Sequence, residues 1–296
     1  MTLYSQSALN IRRTWLLLFV FLLVIIALGW FLSWYFNKPN LLIFAVVFSF
    51  IWSFFSYWQS DKIILAISKA REIKKQDAPE LYRLVENLCI TAGLPLPKIY
   101  IMDEPSPNAF ATGRDPKHAV ICVTSGLLAT LEKSELEGVI AHELCHIGNR
   151  DILIASLVVV LVGIVSIISD WLIRSMIFSG GDRDRENSNP LGIIIMILVL
   201  IISPIVALLI QLAVSRKREF LADSSGALLT RYPEGLAKAL EKISQDKRPI
   251  KSVSNTTRSL YFSDPIKKNK ESWFAKLWLT HPPVSERIKL LREMSI

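Results

Sequence analysis

The stretch VIAHELCHIGNRDILIASLVVVLVGIV, residues 139–165, joins two features that together decide the fold. It carries His142 and His146 four residues apart around Glu143, and from residue 152 onward it is almost purely apolar. On a helix, residues i and i+4 lie about 40° apart in azimuth and ~6 Å apart along the axis, so both imidazoles can face one metal ion. The stretch therefore predicts a metal site beside a membrane-spanning helix.

Four apolar segments account for the composition of the chain. Of its 296 residues, 51% are hydrophobic, and the mean hydropathy is +0.38. The segments cover residues 15–36, 41–58, 152–171 and 191–214, each near the ~20 residues that a helix needs to cross a bilayer. The first leads directly into the second and lacks a small-residue cleavage site, so we expect it to be retained and not removed as a signal peptide. The sequence predicts an α-helical membrane protein with four transmembrane helices.

The positive charge of the chain lies at the ends of these segments. The formal net charge is +8; Arg12 and Arg13 precede the first segment, and residues 216–218 follow the fourth. The positive-inside rule places both termini and the two long polar regions, 60–150 and 215–296, in the cytoplasm. Charge at the membrane surface explains the basicity without a nucleic-acid partner. The three cysteines would all lie on the reducing side, so no disulfide is expected.

The apolar segments divide the chain into four regions. These are an N-terminal transmembrane hairpin (1–59), a first cytoplasmic part (60–151), a second transmembrane hairpin (152–214) and a second cytoplasmic part (215–296). In the first cytoplasmic part, residues 78–88 read as a helix, and residues 98–102 and 119–123 read as strands. Ser134 with Glu137 fits a capping box, which predicts a helix that starts at Ser134 and continues into the third apolar segment.

The second cytoplasmic part reads mostly as helix. Residues 216–230 and 233–243 have helical patterns, and a short helix is expected after Pro283. Residues 245–272 are polar, basic and poorly periodic, which indicates either a surface loop or a mobile cover.

A third metal ligand is needed, because zinc in a hydrolase has three protein ligands and keeps one position for water. Glu219 and Asp223 share a helix face, and Glu219 follows the fourth apolar segment just as His146 precedes the third. We therefore predict that Glu219 binds the metal and that Asp223 accepts a hydrogen bond from a ligating imidazole. Glu143 would act as the general base. For Glu219 and Asp223 alone, the alternative is a solvated helix face.

Taken together, the motifs resemble peptidase family M48, a family of membrane-bound zinc endopeptidases. The matching residues are Asn108-Ala-Phe-Ala-Thr-Gly113, His142-Glu-Leu-Cys-His146 with Asn149 and Asp151, Glu219-Phe-Leu-Ala-Asp223, and Thr280-His-Pro-Pro283 followed by Glu286 and Arg287. Cys145 stands where a small residue such as serine is expected, and we interpret it as a packing residue.

The resemblance implies an α+β, zincin-like (gluzincin) metalloprotease domain with one Zn²⁺ per chain. It further implies that Asn108, Ala109 and Phe110 belong to an edge strand that pairs with substrate, and that His281 and Arg287 bind the substrate or the oxyanion. The implied role is quality control under stress: cleavage of misfolded or damaged membrane proteins at the cytoplasmic face of the bacterial inner membrane. Protein substrates and the lipid bilayer are the implied partners.

Three other interpretations remain open at this point. A prenyl-protein-type peptidase would use the same chemistry, although four spans are too few to enclose its chamber. An inactive scaffold would hold zinc for structure, but such a site has no use for Glu143. A transporter would need ionisable residues within its spans; the spans hold few, Asp170 and Arg174 being near the outer end of the third, so no ion pathway is evident. His281-Pro-Pro283 could also serve only to begin the last helix.

Overall fold

The structure is a computed structural model that describes residues 3–179, 216–246, 248, 260–262 and 282–294. Nine helices and four strands lie within these ranges. In chain order they are α1 (Leu3–Phe36), α2 (Asn40–Ile67), β1 (Arg71–Glu72), α3 (Pro79–Ala92), β2 (Lys98–Met102), β3 (Ala109–Gly113), β4 (Ala119–Thr124), α4 (Ser125–Thr130), α5 (Lys133–Gly148), α6 (Asp151–Ser179), α7 (Arg216–Thr230), α8 (Pro233–Gln245) and α9 (Val284–Arg292), with a 3₁₀ turn at Pro116–His118. The helices and strands predicted between the second and third apolar segments and after the fourth are confirmed, apart from the start and the end of α5.

The first two apolar segments form a pair of long helices. Within the described residues, Ala8–Tyr35 and Asn40–Ile67 are long and apolar enough to cross a membrane. Their outward side chains are large and apolar, including Trp34, Phe44 and Phe54. This hairpin agrees with the first two predicted spans. The fourth predicted span, residues 191–214, lies outside the described residues.

The third apolar segment begins as a buried helix. Early in α6, Leu153, Leu157 and Leu161 pack against Leu17 and Phe21 of α1. A helix that is apolar on every side is expected where protein surrounds it. This packing fixes α1 against the start of α6, directly beside the motif helix α5.

Two predictions about α5 are wrong. The helix starts at Lys133 after Glu132, whose side chain and that of Glu135 form the reciprocal capping box, so the cap lies two residues before the predicted Ser134. A carboxylate can accept from the N3 amide just as a serine hydroxyl can, and the sequence alone does not choose between overlapping patterns. Nor does α5 run on into α6: Arg150 has φ 59°, and the two helix axes meet at 84°.

A four-stranded sheet with the order β1-β2-β4-β3 covers one side of α5. β2 runs parallel to β4, and β3 runs antiparallel to β4 at the edge of the sheet. The main core lies between this sheet and helices α3, α5, α7 and α8, with Val139, Ile140 and Leu144 of α5 fully buried. The middle of the helix that carries the motif is therefore enclosed by the sheet on one side and by helices on the other.

Candidate metal centre

Helix α5 presents both motif histidines to one point. Nε2 of His142 lies 3.1 Å from Nε2 of His146, and the two rings stand edge to face. His142 is 1% exposed, so its ring is held by the packing around it. The four-residue spacing thus produces the convergence that the sequence predicts.

Glu219 reaches the same point from α7. Its Oε2 lies 3.8 Å from Nε2 of His142, and its Oε1 lies 3.5 Å from Nε2 of His146. Helix α7 can approach so closely because Gly226, two turns after Glu219, faces the backbone of His142; a Cβ there would lie 3.0 Å from the His142 nitrogen. One ligand atom from each of His142, His146 and Glu219 lies within 4.8 Å of the others.

This donor set fits a zinc ion. Two nitrogens bound to tetrahedral zinc at ~2.0–2.1 Å lie roughly 3.3 Å apart, close to the separation of the two Nε2 atoms. Two imidazoles and one carboxylate are the set found in catalytic zinc sites that keep one position open. In the part of the chain that the structure describes, these three residues are the one group of His, Cys, Asp and Glu side chains with such geometry.

Each imidazole is backed by a carboxylate at its other nitrogen. Nδ1 of His142 lies 2.9 Å from Oδ1 of Asp223, and Nδ1 of His146 lies 3.0 Å from Oδ2 of Asp151. A carboxylate at Nδ1 favours the tautomer that leaves Nε2 unprotonated and free to bind a cation. Asp223 thus lies beside a motif histidine, and its role as hydrogen-bond acceptor stays a prediction. Asp151 was recognised only as part of a family motif, without a role.

The two histidines have opposite pKa shifts. Burial lowers the pKa of His142 to about 4, which leaves this imidazole neutral at pH 7. Burial also opposes protonation of His146, but the hydrogen bond to Asp151 and the charge of Glu219 outweigh it and raise its pKa to about 9. Because ligands must be deprotonated, a metal would compete with this proton for Nε2 of His146.

Glu143 lies on the same helix, 3% exposed, with the backbone of Ala111 hydrogen-bonded to its carboxylate. Burial raises its pKa to about 7. A carboxylate with a pKa near the working pH can both accept and return a proton. Its position beside β3 also brings the carboxylate to the edge of the sheet.

Arg287 of α9 lies behind the centre and is fully buried. Its Nε and one terminal nitrogen each donate to Asp223 at 2.7 Å, and its other terminal nitrogen lies 3.9 Å from Oε2 of Glu219. Although burial opposes ionisation of Asp223, this guanidinium holds the pKa of that carboxyl at about 2. The described contacts therefore connect Arg287 to His142 through Asp223. Its predicted contact with substrate stays a prediction.

The residues predicted to meet substrate lie on and just before β3, the outer strand of the described sheet. Ala109 and Phe110 begin β3, and Asn108 precedes it; all three are buried. The backbone N–H of Phe262 donates to the carbonyl of Ala109 at 2.9 Å, and the ring of Phe262 stands 5.0 Å from that of His142. The backbone of Phe262 is thus already bonded to the first residue of β3. His281 lies outside the described residues.

Comparisons with known proteins agree on one family. The profile of Peptidase family M48 matches residues 75–295. A protein named "Protease HtpX homolog" from Caldanaerobacter subterraneus subsp. tengcongensis is 45% identical over 100% of this chain and 99% of its own length. Homologues with the same name from Tropheryma whipplei (strain Twist) and Streptococcus pneumoniae (strain R6) are 44% and 40% identical, over 99% of this chain and over 98% and 100% of their own lengths.

The fold is similar to that of a solved structure. The crystal structure of Ste24p from S. mikatae superposes with a TM-score of 0.52 at 19% identity, covering 97% of this chain and 67% of that one. At this level of identity, the similarity concerns the fold alone.

Proposed function

The chain belongs to peptidase family M48, as a relative of the HtpX proteases over its full length, and we propose that it is a membrane-bound, zinc-dependent endopeptidase. The observation that carries the proposal is the convergence of His142, His146 and Glu219 on one point, with the buried Glu143 on the same helix. His142, His146 and Glu219 would hold one zinc ion. When bound, zinc would polarise the scissile carbonyl and acidify water.

The other steps belong to side chains of the chain itself. Glu143 accepts a proton from the attacking water and delivers it to the leaving amine, a role that its pKa near 7 supports. Asp223 and Asp151 hold the two imidazoles in the tautomer that binds the metal. We propose that His281 binds the oxyanion or the substrate, as the family resemblance implies. Arg287 supports the site by fixing Asp223 with two parallel hydrogen bonds.

The substrate is an extended polypeptide that pairs with the edge strand. Asn108, Ala109 and Phe110 lie at this edge, and backbone pairing accepts many side chains. Because Phe262 already bonds to Ala109, the substrate must either pair further along β3 or displace residue 262. We propose misfolded or damaged membrane proteins as substrates and the cytoplasmic face of a bacterial inner membrane as the location, supported by the apolar hairpin and by the charge pattern.

The test is cleavage of casein by the full chain purified in detergent, with the zinc content measured on the same samples. Glu143→Gln should keep about one zinc per chain and lose roughly 10²- to 10⁴-fold in rate, the range attributed to general acid–base catalysis. Glu219→Ala should lose both zinc and cleavage. Glu137→Gln makes the same chemical change earlier on α5 and should change neither.

Two outcomes would overturn the proposal. Cleavage that persists in Glu143→Gln would remove the general base. Zinc in the wild-type chain without cleavage of either casein or membrane proteins in proteoliposomes would favour an inactive scaffold.

A further inference from the structure

Asn10 is a buried polar residue in the first apolar helix whose hydrogen bonds leave that helix. It is 1% exposed, and its side-chain amide donates to the carbonyl of Asn149 at 2.9 Å and to Oδ1 of Asp151 at 2.7 Å. These partners lie 139 and 141 residues further along the chain. A buried amide is costly unless its hydrogen bonds are made, so this contact fixes α1 relative to the break between α5 and α6.

Asp151, the partner of Asn10, uses both of its oxygens. Oδ2 faces Nδ1 of His146 at 3.0 Å, while Oδ1 faces Asn10 and lies 3.4 Å from Nε of Arg218. Arg218 also donates to Oδ1 of Asn10 at 3.5 Å, and it directly precedes Glu219. One small network therefore joins α1 to a candidate ligand on α5 and to the backbone that carries another on α7.

The position of Asn10 along α1 is set by packing on both sides. Four residues later, Thr14 donates to the carbonyl of Asn10 within the same helix, and beyond it Leu17 and Phe21 pack against the start of α6. Rotation or sliding of α1 would therefore carry the amide of Asn10 away from Asp151. The centre is consequently sensitive to how this apolar helix is seated.

We propose that Asn10 is a positioning residue for His146, and that the first apolar helix thereby forms part of the metal centre. The inference rests on the proposed function, because it assumes that His146 binds zinc. The amide of Asn10 holds the carboxylate of Asp151 in the orientation that accepts Nδ1–H of His146. Nε2 then carries the lone pair and points at the ion. Without this amide, Arg218 is the one partner that Oδ1 of Asp151 keeps among the described residues, and the ring of His146 is held less firmly.

Zinc affinity of the full chain in detergent, measured by competition with a chromophoric chelator, tests the proposal. Asn10→Leu keeps the helix apolar, removes the amide, and should weaken zinc binding by roughly 3- to 10-fold. This is less than the roughly 10- to 100-fold loss for a direct partner of a ligand, because Asn10 acts through Asp151. Ser49→Ala removes a buried hydroxyl from the neighbouring apolar helix α2, where it donates to the carbonyl of Val46 and not to the network of Asn10, and it should stay within twofold of the wild type.

A double-mutant cycle separates positioning from general stability. In an Asp151→Ala background, Asn10→Leu should cause no further loss of zinc affinity, because the residue through which it acts is gone. If Asn10→Leu fails to fold, Asn10→Asp preserves the size of the side chain. It replaces the donor facing Asp151 by an acceptor and should weaken zinc binding at least as much.

Several results would overturn the inference. Zinc affinity equal to that of the wild type in Asn10→Leu or Asn10→Asp would do so. An equal loss of zinc affinity from Asn10→Leu in the wild-type and the Asp151→Ala backgrounds would also do so, because it would indicate a structural effect only. A wild-type chain that binds no zinc would instead overturn the proposed function, and the two failures are thereby distinguishable.

Discussion

At the scale of single residues, each histidine has a carboxylate at Nδ1, and each carboxylate is held by further side chains. His142 is backed by Asp223, which Arg287 holds with two hydrogen bonds, whereas His146 is backed by Asp151, which Asn10 and Arg218 hold. Both arrangements bury charge, and a buried charge is tolerated only when it is paired and hydrogen-bonded. Loss of either outer partner should therefore affect both stability and metal binding.

The Arg287→Lys variant tests whether weakening the outer partner of Asp223, which lies beside His142, lowers both stability and metal binding. Lysine keeps the charge but cannot reproduce the two parallel bonds that separate nitrogens of the guanidinium make to Asp223, so the charge-assisted pairing is weakened. We expect the free energy of unfolding to fall by about 1.5–3 kcal/mol and zinc affinity to fall by roughly 10-fold. Chemical denaturation and chelator competition measure the two effects.

Arg292→Lys is the matched control on the same helix. Arg292 bonds to Glu234 and Glu241 at the exposed surface, where ion pairs contribute about 0–1 kcal/mol. Equal losses from the two substitutions would contradict a special role for Arg287.

The sequence could predict some of these residues and not others. His142, His146, Glu219 and Asp223 were found because helical spacing puts each pair on one face. Asn10 gave no signal, since its partners are more than a hundred residues away and a lone asparagine before an apolar run is unremarkable. Spacing could not show that the donors of Arg287 meet Asp223, because the choice of partner for a buried side chain depends on tertiary packing.

At the scale of elements, the break between α5 and α6 is needed for the site. On one continuous helix, residues five apart lie about 140° apart in azimuth, so Asp151 would point away from His146. The 84° bend turns α6 and brings Asp151 back to Nδ1 of His146. The predicted continuous helix was wrong because the polar stretch Gly148-Asn-Arg-Asp151, which contains residues typical of a helix end, was given less weight than the helical patterns on either side of it. Arg150 completes the turn there with a positive φ.

The crossing of α5 and α7 gives a second prediction. Gly226→Val should overpack the contact with the backbone of His142, where a Cβ would lie at 3.0 Å. We expect the free energy of unfolding to fall by about 1–3 kcal/mol and zinc affinity to fall as Glu219 moves away from the histidines.

Gly148→Ala is the control for this prediction, because its Cβ would meet Leu94 at an ordinary distance of 3.7 Å. It should leave zinc affinity unchanged. Thermal unfolding in detergent and chelator competition distinguish the two variants. A Gly226→Val protein with wild-type zinc affinity would show that Glu219 does not depend on this close approach.

At the scale of the whole molecule, the apolar hairpin and the metal centre are one unit. Leu17 and Phe21 of α1 pack on α6, and Asn10 of the same helix contacts Asp151, so the membrane part and the centre share their packing. Composition predicted that α1 and α2 are long apolar helices, because ~20 apolar residues specify a span almost without context. It could not predict that the first half of the third segment would be buried by α1, since burial in protein and burial in lipid select the same residues.

The orientation of this unit is the last prediction. If the catalytic part is cytoplasmic, the turn between α1 and α2 lies on the opposite side of the membrane, because α1 crosses it once. Lys38 in that turn and Lys98 at the start of β2 are both exposed. In intact spheroplasts of an expressing bacterium, a membrane-impermeant maleimide should label Lys38→Cys, and it should label Lys98→Cys only after permeabilisation. Labelling above that of the wild-type chain, whose cysteines are buried or half-buried, gives the measurement. The reverse pattern would place the catalytic part outside and show that Arg12 and Arg13 do not set the orientation as the positive-inside rule requires.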